Sequence, residues 1–448
     1  MHRRVNGSGQ PCVRDRGCDT AGVAPRLTCT RKFLRTPKNG LWRNPDFLKL
    51  WSAQSVSVMG SVLGALQFTA ILTLDAEPLH MSALTAFGVA PALVLGVFAG
   101  AWVDRLRRRP ILIATDLVRM ALLGSIPVAW QLDSLSMEQL YVVAFFHGLM
   151  TMFFDVAYRS YLPSLVPSTD LVEANSKLSA SAAVAEVGGF SLGGWLAQVF
   201  SAVAVAAVDA ASFFVSGLLL AWIRKPEPEP ASDGERPGMV GEVVIGLRFV
   251  AGNPVLRAMG VSKAAMGVGG GIFSALIVIY GIETLGFQPG VLGTIFAIGG
   301  VSSICGAMAA TRVTRRVGIG KTLVLGLIIF GASGFLIPLA RGPLLVAGAL
   351  LAVQQLFDFA IAIYEINQVS IRQGIVSSRM LGRVNASIEV TSLGARLMGA
   401  VAAGALAEVV GLRWGLAVGA AVMMAGGLVL VRSAVWGVVS VPGSDRPG

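Results

Sequence analysis

A short basic segment between two apolar runs carries the residues whose spacing points most directly to chemistry. Gly100 and Asp104 end one apolar run, and Arg105, Arg108 and Arg109 follow within five residues. Gly100 lets a neighbouring helix approach closely because it has no side chain, and Asp104 can face the positive N-terminal end of another helix. The arginines can pair with carboxylates or lipid phosphates. This segment predicts ionic contacts at one end of a helix bundle; the alternative is that the arginines only orient the chain.

Two carboxylates, Asp155 and Glu365, lie at equivalent places in the two halves of the sequence, each inside an apolar run. A charge near the centre of a bilayer costs about 2.5–3.5 kcal/mol, so each should have a partner. The expected partners are Arg108 or Arg109 for Asp155, and Arg315 or Arg316 for Glu365. We therefore predict two matched gate clusters; local pairing of Asp155 with Arg159, four residues on, is the alternative.

Three further charged residues, Glu186, Asp358 and Arg396, lie near the middle of apolar runs. A carboxyl group held away from water can exchange a proton in the physiological range, so Glu186 and Asp358 are candidate proton carriers. Arg396 can balance one of them or bind an anionic substrate. A buried structural ion pair is the alternative role.

Aromatic residues on the same runs are candidates for an apolar pocket that binds amphiphiles. They are Phe154, Tyr158, Phe357 and Tyr364, and each can instead serve only to pack helices together. The remaining charged residues inside apolar runs are expected to be scaffold. Asp116 and Arg119 can neutralise each other at a spacing of three, Asp209 lies on a run predicted to be peripheral, and Lys263 can snorkel. His147 is expected to be a packing histidine.

The composition places these groups in a membrane. The 448 residues are 54% hydrophobic and 14% charged, with a mean hydropathy of +0.71, whereas soluble domains carry about 25% charged residues. The 54 glycines suit close helix packing in a bilayer. The net charge of +11 is concentrated in the N-terminal 49 residues and in short loops, which argues against nucleic-acid binding.

Twelve apolar runs of roughly the length that a bilayer needs predict twelve helices, numbered here in chain order. Helices 1 to 6 are predicted at 47–73, 83–103, 111–131, 139–161, 173–199 and 202–223, and helices 7 to 12 at 255–282, 290–311, 321–340, 343–370, 382–408 and 412–432. The loops after helices 2, 8 and 10 and the linker after helix 6 are basic, so both termini are expected to be cytoplasmic. The predicted parts are a disordered basic arm (1–40), an N-terminal bundle (41–223), a cytoplasmic linker (224–253), a C-terminal bundle (254–433) and a cytoplasmic tail (434–448).

An internal repeat with an offset of about 210 residues relates the two halves. Asn44-Pro45 before helix 1 matches Asn253-Pro254 before helix 7, and Gly194 matches Gly404. Parallel six-helix repeats joined by a linker are typical of alternating-access carriers.

The residues Gly100 to Arg109 resemble the G-x-x-x-D-R-x-x-R-R signature loop of the major facilitator superfamily. Other stretches, including RNPDFLKLW (43–51), FFDVAYRSYLPSLVP (153–167) and GLRFVAGNPVLR (246–257), are similar to its drug:proton antiporter-3 or transmembrane secretion effector branch, which includes enterobactin and macrolide exporters. The resemblance covers residues 43–432. It implies a cavity lined by helices 1, 4, 7 and 10, and a gate in which Asp104 faces helix 11. The chain departs from the pattern at Phe190, which replaces the helix 5 proline of the antiporter motif, and at Glu365, where the resemblance implies asparagine.

These observations predict an all-α membrane protein with the major facilitator fold, which exports a small amphiphilic molecule across the bacterial inner membrane by proton antiport. An importer or uniporter of the same fold, and a non-transporting sensor or assembly protein, are the alternatives. The sequence has no phosphate-binding G-x-x-x-x-G-K-[ST] motif, and Cys12, Cys18 and Cys29 match no zinc spacing. We therefore expect neither enzymatic activity nor a cofactor or metal, and we expect a monomer whose partners are the substrate, protons and lipid.

Overall fold

The computed structural model describes residues 41–167, 169–227 and 239–438, without the side chains of residues 97, 98, 100, 101, 104, 239, 240 and 378. The predicted arm at 1–40 and most of the predicted tail lie outside these residues. Within the described part the chain is all-helical, with no β-strand. The bounds of helices 1 to 6 are Pro45–Leu74, Pro78–Arg105, Arg108–Gln131, Met137–Leu165, Leu171–Val199 and Ala202–Ala221. Those of helices 7 to 12 are Pro254–Thr284, Pro289–Val317, Ile319–Leu339, Leu344–Ile375, Ser378–Val410 and Leu412–Val431.

All twelve predicted helices are present. Within the described residues, eleven are long and apolar enough to cross a membrane. The other, helix 5, is 29 residues long and contains Glu173, Lys177 and Glu186; Glu173 pairs with Lys177, and Glu186 lines a cavity.

Three of the predicted continuous helices are interrupted. Helix 1 consists of Pro45–Ser61 and Ala65–Leu74, joined through Gly64 with a φ of +73°, a conformation that glycine adopts without strain. Helix 9 breaks after Ser333, and helix 10 breaks at Phe357. Apolar periodicity does not report such breaks, because both segments remain equally apolar.

The predicted linker contains a helix that the sequence analysis did not recognise, Met239–Gly252. It packs on the start of helix 11, where Ser387 Oγ donates to the Val243 carbonyl at 2.8 Å. A Cβ at Gly246 would lie 2.4 Å from the Arg383 carbonyl oxygen. The linker helix therefore depends on a glycine at its contact with helix 11.

The two halves begin in the same way. The Asn44 side chain accepts from the amides of Asp46 and Phe47 at 3.1 and 3.2 Å. The Asn253 side chain accepts from the amides of Val255 and Leu256 at 3.0 and 3.1 Å. In both helices proline occupies the first turn, where its missing N–H costs nothing. The sequence match between the two Asn-Pro pairs is thus also a match of helix caps.

One end of the bundle carries the basic segments that follow helices 2, 6, 8 and 10. The start of helix 1 meets the end of helix 6, where Lys49 donates to the Trp222 carbonyl at 2.7 Å. Glu227 caps helix 3 by accepting from the Arg108 and Arg109 amides at 2.7 and 3.1 Å. We call this the basic end; the loops that follow helices 1, 3 and 5 lie at the opposite end.

Candidate functional site

A central cavity lies between the two halves and has two lobes that share Val62, Gln67, Phe190 and Ser274. The acidic lobe has a volume of about 690 Å³ and contains Glu186 and Asp358. The mixed lobe has a volume of about 1120 Å³ and contains acidic and basic side chains. Its charged residues are Asp155, Arg159, Asp209, Arg372, Glu389 and Arg396. Ligand pockets for drug-sized molecules typically measure about 300–1,000 Å³, so each lobe is large enough for one.

The helices of the two halves close over the cavity at the opposite end. A Cβ at Gly194 of helix 5 would lie 2.3 Å from the Pro289 carbonyl oxygen of helix 8. The Gln198 side chain donates to Gln288 at 2.8 Å and accepts from the Gly290 amide at 3.0 Å. Because this packing is glycine-mediated and hydrogen-bonded, it leaves no room for a molecule to pass between helices 5 and 8 there.

Helices 2 and 11 form the matching contact on the other side. A Cβ at Gly404 would lie 2.9 Å from the Leu79 side chain and 3.0 Å from the Ser82 hydroxyl. Nearer the basic end, Ala183 of helix 5 and Ile304 and Ala307 of helix 8 line the acidic lobe. The two halves are therefore closed at the opposite end, and the cavity extends between them toward the basic end.

Asp358 is positioned by the break in helix 10. It is the first residue of the second segment, Asp358–Ile375, where the N-terminal end of a helix favours negative charge. Ser302 of helix 8 stabilises the break, since its hydroxyl accepts from the Phe359 amide at 3.1 Å and donates to the Leu356 carbonyl. Gln354 donates to Asp358 Oδ1 at 3.4 Å. The carboxylate is thus held in the cavity wall by the backbone around it.

Aromatic rings give the acidic lobe an apolar surface. Phe190, Phe273 and Phe296 line it, and the rings of Phe190 and Phe296 meet edge to face with centroids 5.1 Å apart. Phe190 is the residue that stands in place of the helix 5 proline. With two carboxylates beside three phenylalanines, the lobe can accommodate a molecule that is largely apolar and carries a polar or cationic group.

The four aromatic pocket candidates from the sequence lie elsewhere. Phe154 is 2% exposed and packs under the Arg119 guanidinium, whose carbon lies 4.4 Å from the ring centroid. Its ring stacks on that of Tyr158. Tyr364 is fully buried, with its hydroxyl 3.0 Å from the Ser262 hydroxyl, and Phe357 lies at the helix 10 break. None of the four lines either lobe. They were chosen by residue type and helical position, and these do not reveal which face of a helix points into the cavity.

The expected gate residues have other partners in this conformation. Arg108 contacts Glu227, with nitrogen and oxygen 3.6 Å apart, and Arg109 donates to the Leu220 and Ala221 carbonyls. Asp155 lines the mixed lobe. Arg105, Arg315 and Arg316 are exposed at the basic end. The contacts of the Asp104 side chain and those around Gly100 lie outside the described part of the chain.

Glu365 is paired differently from the expectation. It forms an ion pair with Lys263 of helix 7 rather than with Arg315 or Arg316, because helices 7 and 10 bring residues 263 and 365 to the same level of the bundle. Lys263, which was expected to snorkel, is thus the partner of Glu365 in this conformation. The paired residues are 19% and 39% exposed, so they stay within reach of water.

Glu186, Asp358 and Arg396 do reach the cavity. Within the described residues Arg396 has no carboxylate within 4 Å, which leaves it available to a ligand. Gln67 and Gln355 also line the cavity and were not among the residues predicted from the sequence. Their polar side chains within apolar runs were the available signal.

Comparisons by sequence and by structure both match this chain to membrane transporters. The sequence model of the Major Facilitator Superfamily matches residues 50–392. YfiS of Bacillus subtilis, an uncharacterized MFS-type transporter, is 26% identical over 400 residues, which are 83% of this chain and 89% of that protein. The multidrug efflux pump Tap of Mycolicibacterium fortuitum is 25% identical over 299 residues, or 65% and 72% of the two chains. Among solved structures, a mutant of the nucleoside transporter NupG matches with a TM-score of 0.72 at 13% identity, over 87% of this chain and 99% of that one.

Proposed function

Because the chain belongs to the major facilitator superfamily and is therefore a multi-pass membrane transporter, we propose that it exports a small amphiphilic molecule across the bacterial inner membrane in exchange for protons. The observation that carries this proposal is the central cavity, which is closed at the opposite end, extends toward the basic end and combines phenylalanines with ionisable groups. Basic loops favour the cytoplasmic side, so the cavity in this conformation faces the cytoplasm, from which an exporter takes its substrate.

The acidic lobe is the proposed meeting point of substrate and protons. Glu186 of helix 5 and Asp358 of helix 10 share this lobe with Phe190 and Phe296. A proton and a cationic group of the substrate would compete for the negative charge of these two carboxylates, because a nearby positive charge favours the ionised form. Competition of this kind at one site is sufficient to couple outward movement of substrate to inward movement of protons.

The proposed alternating-access step uses the contacts between the halves. The glycine-mediated contacts of Gly194 and Gly404 would open while the basic end closes. Asp155, Arg108 and Arg109, with Arg315, Arg316 and Glu365, remain the candidates for contacts that form only in that second state, together with Gly100, Asp104 and Arg105. Arg108 would first have to leave Glu227.

A transport assay tests the proposal directly. Purified protein in proteoliposomes is given an imposed pH gradient, with ethidium and a panel of amphiphilic antibiotics as probes. We expect gradient-driven accumulation by the wild type and its loss in Glu186→Gln and Asp358→Asn. Glu283→Gln, a carboxyl change outside the cavity lining, serves as the control. Accumulation that both cavity variants retain in full would overturn proton coupling through these residues.

Transport without antiport by the same fold is a second candidate, favoured by one observation. Phe190 occupies the position of the helix 5 proline, and helix 5 runs unbroken from Leu171 to Val199. A uniporter would equilibrate a probe in either direction and would be insensitive to an ionophore, whereas a proton-coupled importer would accumulate the probe with the opposite direction of the gradient. The same proteoliposomes, tested with the gradient reversed and then collapsed, distinguish the two functions.

A further inference from the structure

We propose that Asp209 of helix 6 is a proton-binding site of the N-terminal half, separate from Glu186 and Asp358, and that its proton keeps helix 1 in the position seen here. Its part in transport rests on the proposed antiport, whereas the binding of the proton does not. From the sequence alone, Asp209 is expected to be part of the scaffold.

Burial and the lack of a counter-charge carry the proposal. Asp209 is 3% exposed, and its carboxylate accepts one weak hydrogen bond, from the Ser212 hydroxyl at 3.4 Å. Within the described residues it forms no ion pair within 4 Å. An ionised carboxylate is unfavourable in such surroundings, and a bound proton removes the charge while supplying a hydrogen-bond donor.

The neighbouring charges are already committed to other partners. Helix 3 presents Asp116 and Arg119, which form an ion pair with each other and are 0% and 2% exposed. Helix 4 presents Asp155, which has Arg159 four residues on, and His147, whose Nε2 is buried without a hydrogen-bond partner. Helix 1 presents no ionisable side chain next to Asp209. Arg119 is the cation that acts on Asp209, and it is already paired with Asp116, so Asp209 has no counter-ion of its own among the described residues.

The site has a route for protons. Asp209, His147 and Thr151 all line the mixed lobe. The His147 ring packs against Phe213 with centroids 5.6 Å apart, and Asp209 itself borders the lobe, so a proton can reach the carboxyl group from the lobe directly. A buried group that borders a cavity open toward the basic end can exchange its proton without unfolding of the half.

Helix 1 covers the carboxyl group directly. A Cβ at Gly60 would lie 2.0 Å from the Ser212 hydroxyl oxygen and 2.4 Å from Asp209 Oδ1, so the backbone of helix 1 rests on this pair. Seven residues on, past the break at Gly64, the Gln67 side chain donates to the Ser274 carbonyl of helix 7 at 3.3 Å. That bond connects the two halves.

Loss of the proton would place a charge beneath helix 1. Asp209 Oδ1 lies directly beneath Gly60, so water or a donor can reach that oxygen only if helix 1 moves away. Movement of the segment that carries Gln67 would break its bond to helix 7. The protonation state of Asp209 is thus linked to a contact that helps to hold the two halves together in this conformation.

Infrared difference spectroscopy tests proton binding without any substrate. Purified protein in lipid nanodiscs is titrated with acid and base, and the C=O stretch of protonated carboxyl groups is followed. We expect Asp209→Asn to remove the band of one carboxyl and Ser212→Ala to shift the frequency of that band. Asp133→Asn, in a loop at the opposite end, should leave it unchanged. A wild-type band that Asp209→Asn leaves intact overturns the proposal, and Ser212→Ala gives the same answer if Asp209→Asn does not fold.

Spin labels at Ser61→Cys and Ser274→Cys, in a background with the native cysteines replaced, test the link to helix 1. We expect the distance between the labels to change with pH in this background and to stay at its low-pH value when Asp209→Asn is added. A distance that changes equally in both proteins contradicts the link. Failure of proton-driven transport with the infrared band and the distance change intact would count against antiport and leave the proton site standing.

Discussion

In the N-terminal half, Asp116 and Arg119 form an ion pair in the dry interior of the bundle, with exposed fractions of 0% and 2%. The Arg119 guanidinium lies between the rings of Phe154 and Phe213, 4.4 and 4.2 Å from their centroids. In the C-terminal half, the pair of Lys263 and Glu365 remains partly exposed. The same helix order therefore holds one ion pair away from water and the other within reach of it.

The repeat makes this difference informative. At the offset of about 210 residues, the positions of Asp116 and Asp209 are occupied by Gly326 and Gly419. A Cβ at Gly326 would lie 2.8 Å from the Ala360 carbonyl oxygen, and one at Gly419 would lie 3.2 Å from the Ile272 side chain. Where the N-terminal half uses buried charge, the C-terminal half uses close helix contact. A shared topology thus leaves each half free to specialise.

Removal of the buried cation should have the largest effect on stability. Arg119→Leu leaves Asp116 buried without its partner, and we expect a loss of about 3–5 kcal/mol in the free energy of unfolding. Replacement of both residues, Asp116→Leu with Arg119→Leu, should recover much of that loss. Unfolding by SDS titration in mixed micelles measures both effects. If Arg119→Leu is no less stable than the double variant, the Asp116–Arg119 pair is not shielded from water.

Glycine contacts should matter equally in the two halves. A Cβ at Gly193 would lie 2.0 Å from the Leu63 carbonyl oxygen, and one at Gly271 would lie 2.1 Å from the Arg396 carbonyl oxygen. Gly193→Ala and Gly271→Ala should each cost about 1–3 kcal/mol through overpacking. Gly270→Ala, which meets nothing within 4 Å, should be neutral or gain up to about 1 kcal/mol from helix propensity. The same unfolding titration applies, and a loss confined to one half would contradict the shared use of glycine.

The exposed pair should contribute least. A double-mutant cycle with Lys263→Met and Glu365→Gln should give a coupling of about 0.2–1 kcal/mol, since water screens a pair that is partly exposed. The coupling should fall further as salt is raised. A coupling that matches the buried pair of the N-terminal half, and does not respond to salt, would remove the contrast between the halves.

Much of the fold could be predicted from the order of residues along the chain. Apolar runs long enough for a bilayer gave twelve helices, and the Asn-Pro pairs at 44–45 and 253–254 located two helix starts, because capping is a local interaction. The linker helix Met239–Gly252 was missed, since its short amphipathic stretch follows a run rich in proline and glutamate. The breaks in helices 1, 9 and 10 were missed because both sides of each break are apolar.

The candidate site divides in the same way. Residue type alone singled out Glu186, Asp358 and Arg396, since a charge inside an apolar run needs a reason to be there, and all three line the cavity. The same reasoning could not separate them from Asp209, nor find Phe190 and Phe296 in place of Phe154 and Tyr364. A sequence reports that a side chain is charged or aromatic, and helical spacing reports its neighbours on the same helix.

What the sequence by itself determined was the environment of the chain and its twelve apolar segments, because hydrophobic length and local caps depend only on residues close together in the chain. Tertiary structure decided which charges pair, which stay dry and which face the cavity. Lys263 and Glu365 are 102 residues apart, as are Ser262 and Tyr364, and only the packing of helix 7 against helix 10 brings each of these pairs together. The physical reason is that burial and pairing depend on contacts between helices, and those contacts are set by the glycines and side chains of both partners at once.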